Sequence, residues 1–114
     1  MKNLKRYCYA LDLIDDNTLI QEYIEYHNKV WPEIQKSILE SGIKLMEIYC
    51  IGNRLFMITD VDKAFSIEKR ASQDGINEKV QEWENLMWKY QKALPFAKKG
   101  EKWVLMKQIY RLKK

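Results

Sequence analysis

Hydrophobic and polar positions change period along the 114-residue chain, and those changes outline its elements. Arg6 to Ile14 (RYCYALDLI) is rich in Tyr, Leu and Ile and predicts a first strand. Asp15, Asp16 and Asn17 then offer helix-capping oxygens. Apolar side chains follow at Ile20, Ile24, Trp31, Ile34 and Ile38, a helical stripe with Pro32 inside it. A proline removes a backbone donor and disfavours helical geometry one residue earlier. The pattern therefore predicts two helical pieces with a break near Lys29 to Trp31, the second closed by Gly42. Lys44 to Ile51 and Arg54 to Val61 read as strands joined by Gly52-Asn53, where glycine supplies the positive φ of a two-residue type II′ turn. A short helix is expected over Asp62 to Ser72. A longer one is expected from Ile76 to about Ala93, with Val80, Trp83, Met87, Tyr90 and Leu94 on one face and Pro95 at its end. Lys102 to Leu112 (KWVLMKQIYRL) reads as the last strand.

The resulting order, β-α-β-β-α-β with one extra short helix, predicts a ferredoxin-like α+β sandwich, an antiparallel sheet with helices on one face. No repeat, low-complexity tract or linker interrupts it, so residues 1–114 are expected to form one domain. Tyr7, Tyr9, Leu11 and Leu13 of the first strand point one way, and Cys8, Ala10 and Ile14 the other. Helices cover only one side of such a sheet, and an apolar second face is costly in water. A ligand or a second copy must cover it, and a homodimer is the expectation.

Composition narrows the function classes. Hydrophobic residues at 46% and charged residues at 32% exclude a disordered chain. The net charge of +4 comes from scattered lysines that alternate with acidic residues, with only mild clusters at Lys2, Lys5, Arg6 and at Arg111, Lys113, Lys114. That is a solvated surface and gives no case for nucleic-acid binding. No apolar stretch approaches the roughly 18 residues of a membrane span, and no signal-peptide core is visible. Cys8 and Cys50 lack CxxC spacing and sit in strand-like runs, so two reduced, buried thiols in the cytoplasm are expected. There is no GxGxxG, P-loop or HExxH motif. One His and two distant Cys do not make an ordinary zinc site, although a carboxylate-only Mg²⁺ site stays open. An enzyme built from this chain should need neither metal nor cofactor.

Four residues stand out. Ile20, Ile24, His27, Trp31 and Ile34 are spaced by four, three, four and three residues, so the lone histidine shares the apolar stripe. It also sits at the break before Pro32, where a side chain reaches a cavity more easily. A satisfied core histidine is one reading; an acid-base group with an unperturbed pKa of roughly 6.5 is the other. Trp88, five residues after Trp83, lies roughly 140° around the helix from the Trp83-Met87-Tyr90 stripe, beside polar Glu84 and Gln91. It is either a ligand or interface contact, or a ring covered by the C-terminal loop or a partner chain. Tyr23 lies one helical turn before His27, and Tyr49 sits in the second strand. Each fits a core position, or an aromatic-lined pocket with His27 and Trp88.

The run Glu22-Tyr23-Ile24-Glu25-Tyr26-His27-Asn28-Lys29-Val30-Trp31-Pro32-Glu33-Ile34 resembles the signature of the L-rhamnose mutarotase family, Tyr-x-x-x-His-Asn-x-x-Trp-Pro-Glu. The resemblance continues through Gly42, Glu47-Ile48-Tyr49 and Met87-Trp88-Lys89-Tyr90. It implies a dimeric ferredoxin-like fold of the α/β-barrel type and cofactor-free interconversion of α and β pyranose anomers. It further implies His27 as proton donor, with Tyr23 and Trp88 contacting a monosaccharide. Two departures bear on sugar choice. Met46 and Met87 stand where the best-known members place a Tyr and a Trp, giving apolar contact without a hydroxyl or a broad ring. L-Fucose or another 6-deoxyhexose then competes with L-rhamnose as substrate.

Mutarotation takes a proton from the anomeric hydroxyl and delivers one to the ring oxygen, moving no electrons to an acceptor, which suits a chain without cofactor motifs. The catalytic base is open among Tyr23, Glu22, Tyr49 and water. Other readings of the same fold are a cofactor-free or haem-binding monooxygenase, with His27 as haem ligand, and a non-enzymatic RNA-binding or sensing module. Arg54-Leu55-Phe56-Met57-Ile58 lacks the paired aromatics and glycine of an RNA-stacking strand.

Overall fold

A computed structural model describes residues 4–113. Strand β1 (Lys5–Leu13) is followed by helices α1 (Asn17–Tyr26) and α2 (Pro32–Glu40), and by the hairpin of β2 (Ile43–Ile51) and β3 (Arg54–Val61). Helices α3 (Ile67–Ile76) and α4 (Glu78–Trp88) precede two short strands, β4 (Gln91–Lys92) and β5 (Val104–Leu105). The sheet order is β2-β3-β1-β4, antiparallel throughout, with β5 also on β1. This is the ferredoxin-like α+β arrangement that the pattern predicts. Among the described residues, no helix is long and apolar enough to cross a membrane.

Local chemistry sets the helix ends. Asp16 caps α1 by accepting from the Leu19 N–H at 3.0 Å. Pro32 opens α2 at its first turn, where its missing N–H costs nothing, and Trp31 before it is extended at φ −57°, ψ 136°. The break thus spans residues 27–31, two residues earlier than its predicted start. Ser66 caps α3 and Asn77 caps α4, so Gly75 lies within α3 and the expected stop at residue 72 moves on. Helix α4 ends at Trp88, well before Pro95, because Gln91 and Lys92 join the sheet beside Leu13 and Asp12.

The hairpin turns at Gly52, whose φ of 55° meets the predicted need for a positive value. A bulge between Ile43 and Leu45 shifts the register of β2 against β3. Beyond it, Met46, Ile48 and Cys50 share the helix-side face with Thr59, Met57 and Leu55, while Leu45, Glu47, Tyr49 and Ile51 share the open face. The core lies between the helix side and the helices, around Leu13, Tyr23, Ile34, Leu55, Val80, Trp83, Met87 and Tyr90. On the open face, Cys8, Ala10, Phe56 and Ile58 form an apolar centre. Two bidentate pairs, Arg6–Asp60 (2.8 and 2.9 Å) and Arg54–Asp12 (2.7 and 3.0 Å), bound it.

Two expectations are corrected here. Of the predicted last strand, Lys102 to Leu112, only Val104 and Leu105 pair with β1 inside the chain, and Ile109, Tyr110 and Leu112 are exposed. A strand needs a hydrogen-bonding neighbour, and the sequence pattern alone does not supply one. Cys50 is exposed, at the end of β2 beyond the cover of the helices, whereas Cys8 is half-buried; both are free thiols.

Gly42 joins α2 to β2 with φ 100°, and a Cβ built there would lie 2.5 Å from Asp62 Oδ1. Gly42→Ala should therefore destabilise the fold by more than the ~1 kcal/mol of an ordinary unsuited alanine. Urea unfolding followed by circular dichroism checks this; an unchanged midpoint would refute the close approach.

Candidate active site

Helix α1 does not end on an ordinary α-turn. Its last N–H groups bond three residues back, His27 to Ile24 at 3.0 Å and Asn28 to Glu25 at 3.1 Å. That tightening leaves the Tyr23 carbonyl without the N–H it would otherwise receive, and His27 Nδ1 takes the place at 2.8 Å. A carbonyl only accepts, so Nδ1 carries the proton and Nε2 is the nitrogen free to exchange one. Burial holds the imidazole below its ordinary value of 6.5, against the smaller opposing effect of the Tyr23 carbonyl. The ring rests 4.5 Å from the Tyr23 ring and 5.8 Å from Trp83, edge to face with the latter.

His27 lines a cavity of about 500 Å³ between the sheet and the helices. Ligand pockets fall at about 300–1,000 Å³, so a monosaccharide has room. Ile34, Ile38, Ile48, Met57 and Trp83 supply much of its apolar wall, and Met46 and Met87 line it as well. Polar groups gather elsewhere around it: Arg70, Asp74, Gln81, Glu84 and Lys102. Burial raises the Glu84 carboxyl above the ordinary range, partly countered by Lys102.

Tyr23 is buried on the same wall, and burial pushes its phenol up to about 12, so the hydroxyl keeps its proton at every working pH. That hydroxyl accepts from Gln91 Nε2 at 3.2 Å, which leaves its own proton to donate. Gln91, 8% exposed, holds its Oε1 fully buried with no partner, the one such side-chain atom among the described residues. An acceptor left unpaired in this way costs about 1–3 kcal/mol.

Of the residues singled out by sequence, the structure brings His27 and Tyr23 together at the cavity, along with Met46 and Met87. Trp88 is 39% exposed at the end of α4; its ring carries Lys102 Nζ 5.1 Å above the centroid, and that lysine lines the cavity. Tyr49 is placed elsewhere. It is 55% exposed on the open face, packed on Phe56 and hydrogen-bonded to Glu47, because the bulge in β2 turns Met46 and Ile48 inward instead. Glu22 also points away and accepts from Tyr90 at 3.0 Å. Glu84 and Gln91 were visible in the sequence only as polar neighbours of Trp88, and Gln91 gave no sign of joining the sheet.

Comparison with known proteins shows the family. The family model for L-rhamnose mutarotase matches residues 6–112. The chain belongs to the L-rhamnose mutarotase family. Members of this mutarotase family interconvert sugar anomers, so the chain is an isomerase. An L-fucose mutarotase of Xanthomonas campestris is 40% identical over 112 residues, covering 96% of this chain and 90% of its own. Among solved structures, the L-rhamnose mutarotase of Formosa agariphila superposes with a TM-score of 0.69 at 18% identity, covering 96% of this chain and 99% of its own. Tetracenomycin F2 cyclase of Streptomyces glaucescens, a type-II polyketide cyclase, shares the fold at a TM-score of 0.61 and 17% identity, covering 96% of this chain and 98% of its own. The mutarotase scaffold thus also carries unrelated chemistry, and function must be argued from the cavity.

The unfolded chain binds a proton at His27 more readily than the folded one, because the folded pKa is the lower. Stability should then decline as pH falls from about 6.5 towards the folded value, and His27→Gln should remove that component. Nitrogen-15 NMR of the ring should show the Nδ1–H tautomer titrating below 6.5; an Nε2–H tautomer would contradict the placement.

Proposed function

We propose that this mutarotase interconverts the α and β pyranose anomers of L-fucose, L-rhamnose or a closely related 6-deoxyhexose, without a cofactor, through His27. The observation that carries the reading is the lone imidazole, its tautomer set by the Tyr23 carbonyl, opening on an apolar-walled cavity. The C6 methyl and axial hydrogens of a 6-deoxy sugar make an apolar patch suited to that wall. The L-fucose mutarotase at 40% identity supports the same sugar class.

His27 serves in turn as acceptor and donor. Neutral Nε2 takes the proton of the anomeric hydroxyl, and the resulting alkoxide forms the C1 carbonyl as the bond from C1 to the ring oxygen breaks. The imidazolium gives its proton to the released ring oxygen, completing the donor role that the family resemblance implies. Rotation about C1–C2 and the reverse steps deliver the other anomer, with every proton returned. Tyr23, protonated and already accepting from Gln91, donates a hydrogen bond to the oxygen that carries charge. Trp88 and Lys102 contact the sugar at one flank. Tyr49 takes no part within one chain.

We also propose that a second copy covers the open face. Its apolar centre inside two bidentate Arg–Asp pairs has the layout of an interface, and exposed Tyr49, packed on Phe56, extends it. Free thiols at Cys8 and Cys50 favour a reducing, cytoplasmic setting.

Saturation-transfer NMR on L-fucose and L-rhamnose should show faster exchange between anomeric protons when protein is added. His27→Ala should lower that gain by about 10²–10⁴-fold with the fold intact; full activity would remove His27 from the mechanism. Because the neutral ring starts the cycle, kcat/KM should be flat above pH 7 and fall on acidification with an apparent pKa below 6.5. Light scattering should give twice the chain mass, and Ile58→Lys should halve it; a wild-type monomer would overturn the dimer.

A further inference from the structure

Gln91 is the unexplained group of this cavity. It enters the wall through the two-residue pairing of β4 with β1, opposite Leu13, and not through a helix. One half of its amide is used, since Nε2 donates to Tyr23 Oη. The other half, Oε1, is buried and has no partner. The remaining buried polar side chains show what the fold ordinarily does with such groups. Asp12 accepts twice from Arg54, and Thr59 donates to the Tyr7 carbonyl at 3.1 Å. Gln91 alone among them lines the cavity.

We propose that Gln91 determines which sugar is accepted, its amide exchanging a hydrogen bond with a ring hydroxyl when the cavity is filled. The inference rests on the mutarotase reading and names the residue that sets its substrate. The last torsion of a glutamine side chain is soft, so a small rotation of the amide presents an acceptor to the cavity. A sugar hydroxyl both donates and accepts, and it completes the amide in a way that no aliphatic wall residue does. L-Fucose and L-rhamnose carry their hydroxyls in opposite orientations at C2 and C4. An acceptor fixed on one wall therefore meets a hydroxyl in one sugar and a C–H in the other. Sites built to pair a substrate hydroxyl discriminate strongly, because the wrong sugar leaves the buried group unmet.

The test uses Gln91→Leu, nearly the same volume without the amide, and Gln91→Glu, which keeps an acceptor. Anomer exchange is measured for both sugars with wild type and variants. Gln91→Leu should raise KM for the preferred sugar about tenfold while kcat stays within about threefold, moving the ratio of kcat/KM values between the two sugars towards one. Gln91→Glu should retain more of the preference. Without sugar, Gln91→Leu should melt at or above the wild-type temperature, since it deletes a buried unpaired acceptor. The rise in melting temperature on adding the preferred sugar should shrink. An unchanged preference ratio in Gln91→Leu, or a lower melting temperature with KM unaltered, would overturn the proposal and leave Gln91 as a strut for Tyr23. A wild type inactive on both sugars would overturn the mutarotase reading itself, a different result from an active enzyme with an unmoved ratio.

Discussion

The hydrogen bond from His27 Nδ1 to the Tyr23 carbonyl, 2.8 Å long, is the interaction on which the site depends. It exists because α1 stops short. Had the helix continued as an α-helix through residue 27, the backbone N–H of His27 would have taken that carbonyl. Pro32 and the extended Trp31 before it keep α1 from running on into α2, and the three-residue bonds at Ile24 and Glu25 show how its last turn tightens. A backbone event thus sets a side-chain tautomer. It leaves Nε2, the nitrogen able to receive a proton, outside that bond on a ring that lines the cavity and packs against Tyr23 and Trp83.

Much of this was legible in the residues. The apolar stripe placed Ile34 of α2 correctly in the core, and its interruption by Pro32 gave the break beside His27, but it misplaced the inward face of α1, where Ile24 is exposed and Tyr23 is the buried residue. Gly52-Asn53 fixed the hairpin. Tyr49 was not legible, because strand alternation is a count of two and a single bulge reverses it. Counting from Ile43, which is buried, sends Tyr49 inward; the bulge after it sends Met46 and Ile48 inward instead. Gln91 was hidden for another reason. The stripe Val80-Trp83-Met87-Tyr90-Leu94 keeps helical spacing past the true end of α4, yet its last members are buried from a turn and from the irregular segment after β4. Periodicity reports which side chains are apolar, not which backbone presents them.

Met46 and Met87 belong to the cavity wall, so the departure from the aromatic residues of better-known relatives lies where a sugar would sit. Methionine is flexible and adapts to shape without offering a hydroxyl. A wall of this kind grips an apolar patch but reads little of a sugar's stereochemistry. On the proposed function, discrimination then falls to the polar groups that also line the cavity, Gln91, Tyr23, Glu84, Arg70 and Lys102, and shape and hydroxyl recognition are divided between different residues.

The distribution of satisfied polar groups points the same way. Where the sheet has only a structural task, its buried polar side chains are fully engaged: Asp12 by a two-pronged arginine, Thr59 by a neighbouring carbonyl. The one unmet side-chain atom among the described residues belongs to a residue of the cavity wall, joined through Tyr23 to the turn that carries His27. A chain shaped by stability alone would favour a leucine at this position, since a buried acceptor without a donor opposes folding by about 1–3 kcal/mol. Keeping an amide there makes physical sense when something that enters the cavity supplies the missing donor. The empty-state cost then becomes a difference between ligands, because only a sugar with its hydroxyl in the right place removes it.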